Sequence, residues 1–151
     1  MTKVIVSDTS CLIVLANIRE IDLLNRVFGR ILTTPEVADE FGESLPEWIE
    51  IRSPKNHKEI KRLESLVDIG EASAIALALE LENSVIILDD YKARKIAERY
   101  GVQMIGTMGV LVKAKKLGII EAVKPLIVKI RETNFRISED LEKRALDESG
   151  E

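Results

Sequence analysis

Apolar residues fall into two kinds of run along the chain. Short β-branched runs at Lys3–Ser7 (KVIVS), Ile31–Thr33, Trp48–Arg52, Val85–Leu88 (VIIL) and Val102–Ile105 predict strands. VIIL is apolar throughout, as a strand buried on both faces requires. Between these runs the apolar positions recur at helical spacing, over Ser10–Ala16, Ile18–Phe28, His57–Val67, Tyr91–Tyr100 and Thr107–Lys116. A further helix begins at Thr34 and Pro35, a capping residue followed by the one that suits the first helical position, and runs to about Gly42. Gly70 opens the clearest helix, EASAIALALELE. Glu121–Arg131 and Ser138–Ala145 complete the set, with Pro125 awkwardly inside the first of them. Strands alternating with helices predict an α/β fold with a mainly parallel sheet. Neither a repeat nor a long linker divides the 151 residues, so one domain over 1–151 is expected.

A parallel sheet binds ligands beyond the carboxyl ends of its strands. Asp8 directly follows KVIVS, and Asp89 and Asp90 follow VIIL. Glu71 lies in the first turn of the EASAIALALELE helix, and Glu40 in the helix begun by Pro35. If the two strands are neighbours, these carboxylates converge. At an effective dielectric near 20, two of them ~4 Å apart cost about 4 kcal/mol. Protonation or a bound cation relieves that cost. Oxygen donors alone favour hard ions, Mg²⁺ or Mn²⁺. Two such ions suit phosphodiester hydrolysis, and that chemistry needs no histidine. The only histidine is His57, in the polar segment SPKNHKE. Each acid also has a plain structural reading. Asp8 can cap the next helix, Glu71 can complement a helix dipole, Glu40 can be a solvated surface acid, and Asp89 with Asp90 can form a turn.

The charge pattern bears on the substrate. The net charge is −4, yet residues 92–136 hold 11 basic and 3 acidic residues. A phosphate backbone needs a local positive surface rather than a positive whole. Lys92, Lys95 and Arg99 share one helix face and, with Lys113, are candidate RNA contacts. Coating a solvated helix face is the equal alternative. Cys11 is the single cysteine, so no intrachain disulfide forms, as expected in a reducing cytoplasm. No apolar run approaches the ~18 residues of a membrane span, and no secretory signal is expected, so a cytoplasmic protein is anticipated.

Taken together, VSDTSCLIVLANI at 6–18, LLNRVFGRILTTPEVADEF at 23–41, GEASAIALALE at 70–80, ILDDYKARKIAERYGVQMIGTMGVLVKAKKLGII at 87–120 and FRIS at 135–138 resemble the PIN-domain family of metal-dependent ribonucleases. The likeness is closest to a compact prokaryotic PIN-like branch and spans nearly the whole chain. It implies a sheet sandwiched by helices in three α/β/α layers. It also implies Mg²⁺ or Mn²⁺ dependence and cleavage of single-stranded RNA. On this resemblance Asp8, Glu40, Glu71 and Asp90 are the catalytic acids. Asp8, Glu71, Asp90 and Asp89 would hold metal, supported by Thr9, Ser10 and Thr107. The family often has Thr before the last acid, where this chain has Leu88 and Asp89, so Asp89 is either a ligand or a supporting acid. Many relatives are toxins paired with an antitoxin protein, and a homodimer is expected from the family alone.

Two other functions compete. A catalytically silent PIN-like module binding RNA or protein would also keep this fold. A phosphatase or phosphoacceptor built on Asp8 would want a second Asp two residues on, where Ser10 stands, or a lysine after a later strand. Thr107 follows the strand VQMIG, where it either reaches the acids or caps its helix. The segment GVQMIGTMG lacks the lysine and spacing of a nucleotide-binding loop.

Overall fold

The computed structural model describes residues 3–151. Five strands, β1 (Val4–Ser7), β2 (Ile31–Thr33), β3 (Ile49–Ile51), β4 (Ser84–Ile87) and β5 (Gln103–Ile105), form one sheet in the order β3-β2-β1-β4-β5. Every pairing is parallel, rather than merely most of them. The helices among the described residues are α1 (Thr9–Asn17), α2 (Asp22–Phe28), α3 (Pro35–Phe41), α4 (His57–Glu64), α5 (Ile69–Glu80), α6 (Tyr91–Arg99), α7 (Thr107–Lys116), α8 (Lys124–Arg131) and α9 (Glu139–Glu148). They flank the sheet in a three-layer α/β/α arrangement.

All the expected elements are present, with boundaries moved by local chemistry. The pattern over Ile18–Phe28 becomes a helix only from Asp22, because the chain turns at Arg19, whose φ is +60°. The helix expected from Glu121 starts at Lys124, which puts Pro125 in the first turn, where its missing N–H costs nothing. α5 begins earlier than Gly70, because Asp68 caps it. The buried residues form one hydrophobic cluster drawn from both faces of the sheet, including Val6, Leu12, Leu15, Ile75, Leu77, Ile86, Ile87 and Leu111, each at most 1% exposed. β1 and β4 lie at its centre. At the other end of the chain Glu151 binds the first N–H groups of α8, accepting from Val123 N at 2.6 Å and Lys124 N at 3.1 Å. Among the described residues no helix is long and apolar enough to cross a membrane.

The strand order fixes where a ligand can enter. From β1 the chain moves to β2 and β3 on one side, then returns to place β4 and β5 on the other. The crevice at the carboxyl ends of β1 and β4 is therefore the topological switch point of the sheet. Ser7 pairs with Ile87 as the last step of that ladder, and Asp8 N continues it by donating to Ile87 O at 3.1 Å.

Candidate metal centre

Asp8 emerges at the switch point with its side chain buried, 3% exposed. It occupies the N-cap position of α1, yet makes no capping hydrogen bond. The helix-capping alternative for Asp8 is thus not realised. Burial is the main cause that pushes its carboxyl from its ordinary 3.8 up to about 7. Asp68, Glu40 and Asp89 push in the same direction through like charge, against the Thr9 backbone N–H, which lowers it.

Glu71 is held by a capping box at the start of α5. Its N–H donates to Asp68 Oδ1 at 2.8 Å, and its own Oε1 accepts from Asp68 N at 3.3 Å. Desolvation, then the charges of Asp68, Asp8 and Asp90, raise its carboxyl to about 8. Asp90 caps α6, with Oδ2 accepting from Ala93 N at 2.9 Å. Here the capping and clustering readings both hold, because the box and the cap leave each carboxylate a second oxygen. The pattern D-x-x-E at 68–71 marks Asp68 as a member of this group. Sequence reasoning passed over it by starting the helix at Gly70.

Glu40 comes in from α3, which packs against both α1 and α5. Its carboxylate lies against Gly70: a Cβ built there would stand 1.8 Å from Glu40 Oε1 and 3.3 Å from Thr9 Oγ1. Gly70 is therefore the small residue that admits the Glu40 carboxylate to the cluster. Burial and then the charge of Asp68 raise the Glu40 pKa. Thr9 Oγ1 offsets part of this, although it is buried and closes no hydrogen bond. Ser10 is half-buried in the first turn of α1.

Asp89 and Thr107 form a pair of their own. Asp89 accepts from Thr107 N at 2.8 Å and from Thr107 Oγ1 at 2.6 Å. Thr107 is the first residue of α7, not its N-cap, and its hydroxyl is committed to Asp89. Burial raises the Asp89 pKa, while both Thr107 bonds and the Arg94 guanidinium lower it. Beneath the acids lies a set of hydroxyls with no exposure. Thr33 Oγ1 donates to Ser7 O at 2.8 Å, Ser73 Oγ donates to Gly70 O at 2.8 Å, and Thr34 Oγ1 meets Ser73 Oγ at 2.7 Å. These bonds tie β1, β2, α3 and α5 together directly under the site. Cys11 is buried nearby, and burial with the charges of Asp89 and Asp8 keeps it a thiol.

The candidate cations spread along their helices. Lys92 is in the first turn of α6, closest to the acids, and the Lys95 ammonium lies 4.9 Å from the Tyr91 ring centroid. Arg99 ends α6, about 12 Å along the axis from its start. Lys113 lies away from the acidic edge. Its ammonium is 5.4 Å from the Phe28 ring centroid, and it lines a cavity with Lys3, Val85 and Gln103, at the amino ends of the strands. The physical reason is length: α7 runs back from β5 along the sheet, so its last turn reaches the opposite edge.

A family model described as a PIN domain matches residues 4–151, nearly the whole described chain. The chain belongs to the PIN-domain family. PIN domains are generally nucleases, and they typically use divalent metals. A comparison with curated proteins returns no match. In this PIN domain the donor set suits a hard cation: carboxylate oxygens, the buried Thr9 hydroxyl beside Glu40, and acids raised in pKa by burial first and by one another's charge second. Among the described residues, no group of three or more His, Cys, Asp or Glu side chains stands close enough together to hold a metal ion as they are placed.

Proposed function

We propose that this PIN domain hydrolyses phosphodiester bonds of single-stranded RNA, using Mg²⁺ or Mn²⁺. The observation that supports it most is Asp8, a buried, uncapped carboxylate at the switch point, facing the charges of Asp68, Glu40 and Asp89. Asp8, Glu71 and Asp90 are the side chains that would hold metal. The bound ions would supply an activated water and charge stabilisation at the scissile phosphate. Asp8 does the central holding, because it is buried at the switch point and makes no bond that caps α1. Glu71 and Asp90 present their second oxygens from two helix starts, and the caps hold those oxygens in place. Glu40, beside Gly70 and Thr9, orients water or metal at the edge of the cluster. Asp89 acts as a supporting acid, because Thr107 engages both of its oxygens. Lys92 and Lys95 meet the RNA backbone next to the acids, and such contacts position the strand without reading its bases.

Family membership supports two finer parts of this reading, that the protein is the toxin of a toxin–antitoxin pair and that two copies associate. A silent binding module is the competing reading, and the capping roles of Asp90 and Glu71 are what favour it. Thermal unfolding with Mn²⁺ separates the two. We expect Mn²⁺ to raise the midpoint of the wild type and to leave Asp90→Asn unmoved. An equal rise in both proteins would remove Asp90 from the metal site, and no rise in either would favour the silent module.

A further inference from the structure

A cavity of about 560 Å³ opens between α6, β5, α7 and α9, beside the acidic crevice and sharing Asp89 with it. Its size falls within the range of small-ligand sites. The apolar part of its wall includes Met104, Met108 and Leu141. Two guanidinium groups, Arg94 and Arg144, join that wall from opposite helices. Arg94 Nη1 donates to Leu88 O at 2.8 Å, which fixes the group beside the end of β4 and near the Asp89 charge. Arg144 forms no ion pair among the described residues. Of the carboxylates in the wall, Asp89 is engaged by Thr107, and Glu148 lies one exposed turn beyond Arg144. Tyr91 also lines the cavity. It is 73% exposed, the most exposed of the large apolar side chains, and it immediately follows Asp90.

An aromatic ring, an apolar wall and two planar cations are the parts that hold an unstacked nucleotide. Bases of single-stranded RNA stack on aromatic rings and on guanidinium planes, and arginine binds phosphate through paired N–H groups. We propose that this cavity is a nucleotide subsite, which seats the base next to the cut. The base lies on the apolar wall between Tyr91 and Arg144, and Arg94 holds the phosphate on the side of the acids. The RNA part of this inference rests on the nuclease reading above.

The test is titration of the intact protein with AMP and with UMP in EDTA, followed by NMR, so that no metal or turnover is involved. Saturable binding to the wild type is expected, weakened about five- to tenfold by Tyr91→Ala and by Arg144→Ala, with partial recovery in Arg144→Lys. Both residues are exposed, so the variants should fold, and matching thermal midpoints check this. Absence of saturable binding, or binding by both alanine variants as tight as that of the wild type, would overturn the subsite. Nucleotide binding lost in both variants, from a protein that cuts no RNA with Mn²⁺, would keep the subsite and reject the nuclease reading. Cleavage with unaltered binding in the variants would reject the subsite alone.

Discussion

Replacing Asp8 with Asn removes one negative charge from a nearly inaccessible strand end. The folded carboxyl sits at about 7 against an ordinary 3.8, so the folded state binds a proton that the unfolded chain has already released. Stability therefore falls as pH rises through that interval, and the loss is complete above the folded value. At about 1.4 kcal/mol for each pH unit, ionised Asp8 withdraws up to ~4 kcal/mol from the metal-free protein at pH 8. Asn keeps an oxygen and a similar shape without the charge, so Asp8→Asn should be about 2–4 kcal/mol more stable than wild type at pH 8 in EDTA. Near pH 4, where the wild-type carboxyl is protonated in the fold, the two should converge. Glu71, raised to about 8, titrates in the same window and leaves the variant a shallower slope, not a flat line. Urea unfolding from pH 4 to pH 9 measures both. Equal slopes, or a variant less stable than wild type at pH 8, would refute the claim that Asp8 is held under electrostatic strain.

Two more expectations follow from single contacts. Gly70→Ala should push away the Glu40 carboxylate, the flexible end of its side chain, at a stability cost below about 1 kcal/mol. If Glu40 serves the site, Mn²⁺-dependent activity should fall at least tenfold while the thermal midpoint barely moves, and unchanged activity would remove Glu40 from the mechanism. Thr107→Val deletes the hydroxyl bond to Asp89 and should cost about 1–3 kcal/mol in urea unfolding, whereas a neutral result would mean that the backbone bond alone holds Asp89.

The parts of the molecule legible in the sequence were those set by local pattern. KVIVS and VIIL read as strands because they are short β-branched runs whose carboxyl-end positions are buried, and Asp8 and Asp90 followed as strand-end acids. Pro35 and Thr34 marked the start of α3 to the residue, since capping depends on a few adjacent atoms. What escaped depends on contacts distant in sequence. The Asp89–Thr107 pair joins residues 18 apart. The fit of Glu40 against Gly70 joins two helices, and a helix glycine carries no local mark of the side chain it admits. Asp68 could have been found, because D-x-x-E is a capping-box pattern, but the glycine after it drew the helix start too late. Lys113 shows the limit of charge counting: it belongs to the basic block, yet α7 carries it to the other edge of the sheet.

The central claim, that these acids form a metal-dependent nuclease centre, is tested most directly by RNA cleavage. Wild type and Asp8→Asn, purified free of contaminating nuclease and matched in circular dichroism, are incubated with unstructured RNA in Mn²⁺ and in EDTA. Cleavage by wild type is expected only with Mn²⁺, with a loss of at least about a hundredfold in Asp8→Asn. Equal cleavage by the two proteins, or wild-type cleavage unaffected by EDTA, would contradict the claim.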